Sequence, residues 1–311
     1  MKRIFIDGSA GTTGLRIRER LANRPGIELI TLPEALRKDP SARKDALNGA
    51  NIAFLCLPDA AAIEAVALVD NPDTAIIDTS TAHRTAEGWV YGFAELPGQR
   101  ERIAASKRIA NPGCHASGFI ALIAPLVHAG LLNKDALLCC TSLTGYSGGG
   151  KKMIAEYEGE DRSPLLDAPR QYGLGQQHKH LKEMAAVCGL THAPAFMPIV
   201  GDFYSGMEVS VPLFADQLSG NIDDIKAAYR GAYAGPVVNF AEAADENGFL
   251  SAGALSGRDD MQISVAGNAE RVLVTARFDN LGKGASGAAL QNMNLLLGFN
   301  ETEGLVIGCH G

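Results

Sequence analysis

The feature that most restricts the fold is a glycine-rich loop between a strand pattern and a helix pattern at the start of the chain. Residues 2–6, which end in the apolar run Ile4–Ile6, predict a short buried strand, and a helical pattern covers residues 15–21. A strand, a glycine loop and a helix in this order form a dinucleotide-binding fingerprint, here the GxxGxxG variant of GxGxxG. Gly8 permits a tight turn, Gly11 close approach of a pyrophosphate, and Gly14 helix–strand packing. The helix N-terminus offers N–H groups to the phosphates. We expect cofactor contacts from Gly8, Ser9, Gly11, Thr12, Thr13 and Gly14.

The end of the second predicted strand bears on which dinucleotide binds. The strand covers residues 27–30 and ends at Thr31, where sites that prefer NAD usually carry an acidic residue for the ribose 2′-hydroxyl. A small hydroxyl with basic neighbours suits a 2′-phosphate, so we expect NADP and place Thr31 in its site. The alternative is that the basic residues are solvated loop charges. They are Arg37, Lys38, Arg43 and Lys44.

Further strand patterns alternate with helix patterns along the first half of the chain. Strands are predicted over residues 51–57 and 74–78, with an Ala-rich helix over 60–69 between them. This alternation predicts an α/β, Rossmann-like, doubly wound domain. Ligands in such a domain bind beyond the carboxyl ends of the strands. The residues predicted there for the cofactor are Cys56, Leu57, Pro58 and Ser80.

Cys114 follows another predicted strand and begins an apolar helix. Pro112 and Gly113 indicate a sharp turn, and helical spacing continues from Phe119 to Val127. A sulfur at a helix N-terminus is favoured as the thiolate, which is the form that attacks an electrophilic carbon. The alternative is a buried cysteine that fills space. Because the turn follows a strand at the predicted cofactor edge, we favour the nucleophile.

Two histidines are candidates for proton transfer near this sulfur. His178 and His180 precede a predicted short helix over residues 181–187, and a histidine near a thiolate acts as its base and later as an acid. The alternatives are structural histidines, or a two-histidine metal site. No third ligand stands within range, so we expect no metal.

Other polar residues are candidates for substrate binding. The guanidinium of Arg84 suits a phosphate or a carboxylate, although an ordinary surface arginine or an ion pair is the alternative. Residues 144–153 contain so many glycines that we predict a loop rather than a packed element. That loop either wraps a substrate or is a flexible linker. The predicted substrate residues are Arg84, Asn111, Ser147, Gly148 and Lys151.

The second half of the chain is richer in strands. Alternating patterns predict strands over residues 195–200, 207–213, 261–266 and 271–278, with one helix over 222–233. They indicate an α+β domain with a mostly antiparallel sheet. A last glycine loop and a helix over 288–297 are expected to return to the first domain. The predicted domains are therefore 1–114 with 285–311 for dinucleotide binding, and 115–284 for catalysis and association.

Composition excludes several classes of function. The net charge is −7 and no basic tract occurs, which argues against nucleic acid. No apolar run reaches the roughly 18 residues of a membrane span, and the N-terminus enters a strand directly, without a signal-peptide pattern. The six cysteines form no CxxC pair, which favours reduced thiols in the cytoplasm. A strand-rich second domain commonly provides an association surface, so we expect a homo-oligomer.

Several motifs together resemble the N-acetyl-γ-glutamyl-phosphate reductases, in their shorter-chain (type 2) branch. The aspartate-semialdehyde dehydrogenases are similar in plan. The likeness covers nearly the whole chain, and the NPGC and NLGKGASG motifs are its most specific parts. The motifs are DGSAGTTGL at 7–15, LCLPD at 55–59, DTSTAHR at 78–84, WVYGF at 89–93, NPGC at 111–114, GYSGGGKK at 145–152 and NLGKGASG at 280–287.

The resemblance implies a reaction and roles for residues. It implies the reversible, NADPH-dependent reduction of N-acetyl-glutamyl 5-phosphate to N-acetyl-glutamate 5-semialdehyde, with release of phosphate, in arginine biosynthesis. Cys114 is then the nucleophile that forms a thioacyl enzyme. Arg84 and the loop at 145–152 hold the phosphate and acyl parts, and Gly284 belongs to the cofactor site.

The histidine motif departs from the family pattern. After His178 and His180 the family usually continues Thr-Pro-Glu-Ile, whereas this chain has Leu-Lys-Glu-Met. The departure leaves open which histidine acts, and we favour His180 because it starts the helix. Two other functions stay open: an aspartate-semialdehyde dehydrogenase, and an NADP(H)-sensing protein without turnover.

Overall fold

The chain forms two compact units in the computed structural model, which describes residues 1–308. The first unit contains Met1–Ala94, Gly98–Pro112 and Ala285–Leu305. The second contains Glu95–Pro97, Gly113–Gly284 and the described residues from Val306 on. Cys309 lies outside the described residues. The assignment of dinucleotide binding to one unit and catalysis to the other stays a prediction.

The first unit is built on a parallel sheet in the order β2-β1-β3-β4-β6-β5. Its strands are short, and β3 and β4 are buried along their whole length, as is typical of a parallel sheet covered on both faces. The elements in chain order are β1 (Lys2–Asp7), α1 (Thr12–Leu21), β2 (Ile27–Ile30), α2 (Pro40–Asn48), β3 (Ile52–Leu55), α3 (Asp59–Ala67), β4 (Ala75–Asp78), β5 (Val90–Tyr91), α4 (Gln99–Ala105) and β6 (Arg108–Ala110).

Alternation along the strands divides the core of this unit into two layers. Ile4 and Phe54 belong to one apolar cluster, which includes Leu290 from the last helix, Gly287–Leu297. Phe5 and Leu55 belong to the other cluster, on the side of α2 and α3. Successive strand residues point to opposite faces, so each strand feeds both layers. The predicted doubly wound α/β fold is confirmed.

The second unit is built on a seven-stranded sheet in the order β11-β12-β13-β10-β7-β9-β8. Four neighbouring pairs are antiparallel, and β11–β12 and β7–β9 are parallel, so the predicted mostly antiparallel sheet is confirmed. The elements are α5 (Cys114–His128), β7 (Cys139–Gly145), α6 (Gly150–Glu158), β8 (Arg170–Gln171), α7 (His180–Cys188), β9 (Ala195–Gly201), β10 (Met207–Phe214), α8 (Ile222–Ala232), β11 (Val238–Phe240), β12 (Met261–Gly267) and β13 (Arg271–Phe278); the last helix of the chain is α9.

Helix α5 packs across one face of this sheet. Gly118 lies so close to β10 that a Cβ there would stand 2.5 Å from Cγ2 of Val209. Tyr229 of α8 donates its hydroxyl to the carbonyl of Leu122 at 2.6 Å, which fixes α8 to α5. The nucleophile candidate therefore starts a buried and firmly packed helix.

The glycine-rich run at 144–153 is not a loop, so that prediction was wrong. A short 3-10 turn at Tyr146–Gly149 leads into α6. Met153 and Tyr157 lie at helical spacing and pack with Leu166, and this apolar face orders the run despite its glycines. The second glycine run also differs from a simple loop, since Gly282–Ser286 forms a π-helical turn before α9.

Within residues 1–308, no helix combines the length and the apolar character needed to cross a membrane.

Candidate active site

The first glycine loop is shaped by two close backbone approaches. Gly8 has φ of +87°, and a Cβ on it would lie 2.2 Å from the carbonyl oxygen of Cys56. A Cβ on Gly14 would lie 2.5 Å from the carbonyl oxygen of Gly8. Gly11 has more room, since its Cβ would be 3.5 Å from the same oxygen. The loop is thus a cradle that side chains at Gly8 or Gly14 would fill, and Thr12 and Thr13 begin α1 directly after it.

A cavity of about 370 Å³ lies between this loop and the end of β2. Gly8, Ser9, Leu57 and Thr31 line it, so four of the predicted cofactor residues meet there. The basic lining residues are Arg18, Arg37 and Lys38. Arg18, in the last turn of α1, was not singled out from the sequence.

Three of the basic residues near β2 have acidic partners, and Arg37 of the cavity lining pairs with Glu34 at 2.6 Å. Arg43 pairs with Asp7 at 2.8 Å, and Lys44 pairs with Asp70 at 2.5 Å. Two further predicted cofactor residues have structural contacts. Ser80 donates its hydroxyl to buried Asp78 at 2.7 Å, and Pro58 stands at the N-cap of α3.

Cys114 is the first residue of α5, with Gly113 in an extended conformation as its N-cap. The Cys114 side chain is half-buried. Burial raises the pKa of Cys56 to about 12 and raises those of Cys140 and Cys188 further, which disfavours their thiolates. Cys139 is exposed, and the described cysteines form no disulfide.

Gly284 lies against Cys114. A Cβ on Gly284 would stand 3.0 Å from Cβ of Cys114 and 3.1 Å from the carbonyl oxygen of Asp279. The residue therefore leaves space beside the thiol in the second unit. Its predicted contact with the cofactor stays a prediction.

His178 and His180 lie side by side, with ring centroids 4.7 Å apart. The backbone N–H of His180 donates to Nδ1 of His178 at 3.2 Å. Glu183, one turn along α7, is buried, and its Oε1 lies 3.8 Å from Nε2 of His180. Oε2 of Glu183 accepts the backbone N–H of Gly113 at 3.2 Å, which connects this helix to the turn before Cys114.

His115 completes a cluster of three imidazoles and was missed. Its ring centroid is 5.5 Å from those of His178 and His180. Nδ1 lies 2.6 Å from Oγ of Ser142 and Nε2 lies 2.7 Å from the hydroxyl of Tyr172. Burial, and then the neighbouring His178, lower the pKa of His115 to about 3, so it is neutral at ordinary pH. The signal in the sequence was that His115 stands four residues before Phe119, on the same face of the predicted helix.

Arg84 and Asn111 hold loops of the first unit together. Arg84 is buried and donates to the carbonyls of Asn111 at 3.0 Å and Thr79 at 3.1 Å. The Asn111 amide donates to the carbonyl of Ala285 at 3.0 Å and accepts from Asn292 at 3.1 Å. Asn292 was not singled out from the sequence. Substrate contacts by Arg84 and Asn111 stay predictions.

The other predicted substrate residues lie where β7 passes into α6. Ser147 is buried and its hydroxyl accepts from Asn280 at 3.0 Å, while a Cβ on Gly148 would be 3.5 Å from the same amide. Lys151 is exposed on the first turn of α6. Lys283, also missed, is buried and pairs with buried Glu95 at 2.8 Å. No group of three or more His, Cys, Asp or Glu within residues 1–308 is arranged to hold a metal ion.

Comparison with known proteins decides the family. The model of the semialdehyde dehydrogenase dimerisation domain matches residues 114–280. N-acetyl-γ-glutamyl-phosphate reductase 2 of Pseudomonas putida is 46% identical over 97% of this chain and 98% of its own length. The reductase of Brucella ovis is 47% identical over 95% of this chain and 99% of its own. The chain belongs to the N-acetyl-γ-glutamyl-phosphate reductase family. The resemblance inferred from the motifs is confirmed, and so is membership of an oxidoreductase family.

Solved structures agree with the fold of this reductase family. Aspartate semialdehyde dehydrogenase II of Vibrio cholerae, complexed with ASA, has a TM-score of 0.71 at 15% identity, covering 96% of this chain and 98% of its own. The enzyme of Candida albicans, solved with NADP, has a TM-score of 0.65 at 14% identity, with the same coverage of both chains. At such identities the likeness concerns the fold alone.

Proposed function

We propose that this chain reduces N-acetyl-glutamyl 5-phosphate to N-acetyl-glutamate 5-semialdehyde with release of phosphate, in the arginine pathway of the cytoplasm. The observation that carries the proposal is Cys114 at the N-terminus of α5, in the unit that contains His178, His180 and Glu183. The names of relatives at 46–47% identity support the same reaction. We propose that the reaction is reversible, as the resemblance to the family implies.

The residues of the first unit fit a nicotinamide dinucleotide. The loop at Gly8 and Gly14 has no space for side chains, and the cavity beside it carries Arg18 and Lys38 near Thr31. Backbone N–H groups of the loop and α1 would hold the pyrophosphate, and the cations would hold a 2′-phosphate. When bound, NADPH supplies the hydride.

Cys114 carries the acyl group between two steps. Its thiolate attacks the carbonyl carbon of the acyl phosphate, a C–S bond forms, and the C–O bond to phosphate breaks with the electron pair leaving on phosphate. After hydride addition to the thioester carbon, the C–S bond breaks and the thiolate returns. The balance is acyl phosphate, NADPH and one proton giving semialdehyde, NADP⁺ and phosphate.

His180 is the residue that we assign to proton transfer, with His178 as the alternative. His180 starts α7, and the buried carboxylate of Glu183 lies 3.8 Å from its Nε2. A nearby negative charge favours an imidazolium that has taken up a proton. Arg84, Asn111, Ser147, Gly148 and Lys151 are the residues assigned to the phosphate and acyl parts, with Lys151 as the exposed cation.

Replacement of the thiol tests the reaction. The Cys114→Ser variant should lose at least 1,000-fold of the phosphate-dependent reduction of NADP⁺ by the semialdehyde, on the order of 4 kcal/mol, while still binding NADPH. Cys139→Ser, which alters an exposed thiol, is the matched control. Turnover of Cys114→Ser near the wild-type rate would contradict the proposal. Parallel assays with aspartate semialdehyde test the runner-up substrate, and NADPH binding without any turnover would favour a sensor.

A homo-oligomer is the second part of the proposal. The strand register places Pro212 opposite Leu273, and Phe214 lies on the same face of the sheet. Leu273 and Phe214 are exposed, by 37% and 55%. Exposed apolar side chains at this end of the sheet face favour association with a second copy. The Leu273→Asp variant should lower the mass measured by light scattering, and an unchanged mass would argue against this face.

A further inference from the structure

The Tyr172 hydroxyl has a fixed position in the second unit. It lies 2.7 Å from Nε2 of His115, the residue that follows Cys114 in the first turn of α5. The Tyr172 backbone N–H donates to the carbonyl of Pro198 at 3.0 Å, which anchors the residue to β9. Burial, and then the Cys114 sulfur, raise the pKa of the Tyr172 phenol. The phenol thus stays protonated, and its hydroxyl is held beside the residue that follows Cys114.

His115 controls the direction of this hydrogen bond. A neutral imidazole has one N–H donor and one acceptor nitrogen. If Oγ of Ser142 donates to Nδ1, at 2.6 Å, the Nε2–H must donate to the oxygen of Tyr172. The O–H of Tyr172 is then available to donate to another group. In the opposite tautomer Tyr172 donates to His115 and presents only acceptor lone pairs.

The reaction at Cys114 needs such a donor. Attack of a thiolate on a carbonyl, and later addition of a hydride, each place negative charge on the carbonyl oxygen. A preorganised hydrogen-bond donor at that oxygen is worth roughly 100- to 1,000-fold in kcat. Glu183 is an acceptor, and His115 uses both ring nitrogens within the protein.

We infer that Tyr172 is a catalytic residue whose hydroxyl donates to the carbonyl oxygen of the acyl group on Cys114, and that His115 is the positioning residue that presents it as a donor. The inference rests on the proposed function, because it needs an acyl group on Cys114. The inference adds Tyr172 and His115 to the site. It gives His115, the neutral histidine of the cluster, a role separate from proton transfer.

Removal of the hydroxyl tests the role of Tyr172. The Tyr172→Phe variant should lose about 100-fold in kcat, with KM and the Kd of NADPH within about twofold of wild type. Alkylation of Cys114 by iodoacetamide should stay within twofold, because displacement of iodide creates no oxyanion. Tyr229→Phe is the matched control, since it removes a buried hydroxyl that bonds to Leu122, and it should lower stability without lowering kcat.

Variants of His115 test the positioning role and do not depend on Tyr172→Phe folding. His115→Gln keeps an N–H donor for Tyr172 and should retain most of kcat, whereas His115→Leu should lose about as much as Tyr172→Phe. The double variant His115→Leu with Tyr172→Phe should be no slower than either single one, because His115 acts through Tyr172.

The outcomes separate this inference from the proposed function. No turnover by the wild-type protein would overturn the proposed reaction. A wild-type enzyme that turns over, with kcat of Tyr172→Phe within threefold, would overturn only the role of Tyr172. A parallel fall in kcat and in the alkylation rate would show a structural role instead, and equal losses in His115→Gln and His115→Leu would overturn the positioning role.

Discussion

The carboxylate of Glu183 accepts the backbone N–H of Gly113 at 3.2 Å, so a buried charge on α7 holds the turn that precedes the thiol. Its other oxygen lies 3.8 Å from Nε2 of His180. One side chain thereby fixes the position of a candidate acid–base residue and the start of α5. The family pattern changes around this motif, but a glutamate still stands three residues after the second histidine.

Variants of Glu183 should separate its hydrogen bond from its charge. Glu183→Ala leaves the buried N–H of Gly113 without its acceptor, which costs about 1–3 kcal/mol of unfolding free energy. Glu183→Gln retains an acceptor oxygen, so we expect a smaller loss of stability but a fall in kcat, because the charge beside His180 is gone. Urea unfolding and steady-state kinetics measure the two effects. Equal stability losses in both variants would show that the hydrogen bond does not matter.

The elements were predictable where sequence periodicity is strong. Strands β2 and β13 were predicted with their observed bounds. In both, apolar residues alternate with polar ones or follow one another, and turn residues stand on either side. The glycine run before α6 was misread because local composition outweighed the apolar pair Met153 and Tyr157 beyond it. Glycine content describes the freedom of the unfolded chain, whereas tertiary packing decides whether a helix forms.

The site was predictable only in part, for a different reason. Cys114 and His180 could be predicted from their residue types and from their positions at the starts of predicted helices. The partners of these residues depend on three-dimensional contacts between distant segments, such as His115 with Tyr172 or Lys283 with Glu95. A sequence pattern does not give the distance between segments that are far apart in the chain. The contacts of His115 and the Lys283–Glu95 ion pair were therefore found only in the structure.

The Gly284→Ala variant should impair catalysis by Cys114 rather than binding of the cofactor. Its Cβ would lie 3.0 Å from Cβ of Cys114. It could not move away from Cys114 freely, because the backbone oxygen of Asp279 would lie 3.1 Å from it. We expect a loss of tenfold or more in kcat, because small displacements of a reacting group are costly. Gly231→Ala on α8, with nothing within 4 Å of the new Cβ, is the control. A raised Kd for NADPH with unchanged kcat would instead favour the predicted role of Gly284 in cofactor binding.

Alkylation should select Cys114 over Cys56, Cys140 and Cys188. Burial raises the pKa of Cys56, Cys140 and Cys188, so their thiolate fractions near neutral pH are negligible. Exposed Cys139, and Cys309 outside the described residues, should be replaced by serine first. Peptide mapping after brief iodoacetamide treatment should then find the label on Cys114, and the acyl phosphate should protect it. Label on Cys56, Cys140 or Cys188 instead would contradict this ranking.

Two cations of the cavity beside Thr31 should set the preference for NADPH. Lys38→Gln and Arg18→Gln should each weaken binding of NADPH about tenfold, roughly 1.4 kcal/mol, and leave binding of NADH unchanged. Lys44→Gln is the control, because Lys44 pairs with Asp70. Titration of the protein with each dinucleotide by fluorescence gives the Kd values. Parallel losses for both dinucleotides would exclude a specific role at the 2′-phosphate.

The neutral state of His115 makes stability depend on pH. Its pKa of about 3 in the folded chain is far below the ordinary value of 6.5, so between these limits the unfolded chain binds a proton that the folded chain does not. The contribution to stability is complete above about pH 6.5 and falls as the pH falls toward 3, by at most ~1.4 kcal/mol per pH unit. His115→Gln removes this proton and leaves His178, His180 and Glu183 in place. The unfolding free energy of wild type minus that of the variant, from urea curves at pH 7.5, 6, 5 and 4.5, should therefore decrease steadily with acidification, and a constant difference would mean that His115 is protonated in the folded protein.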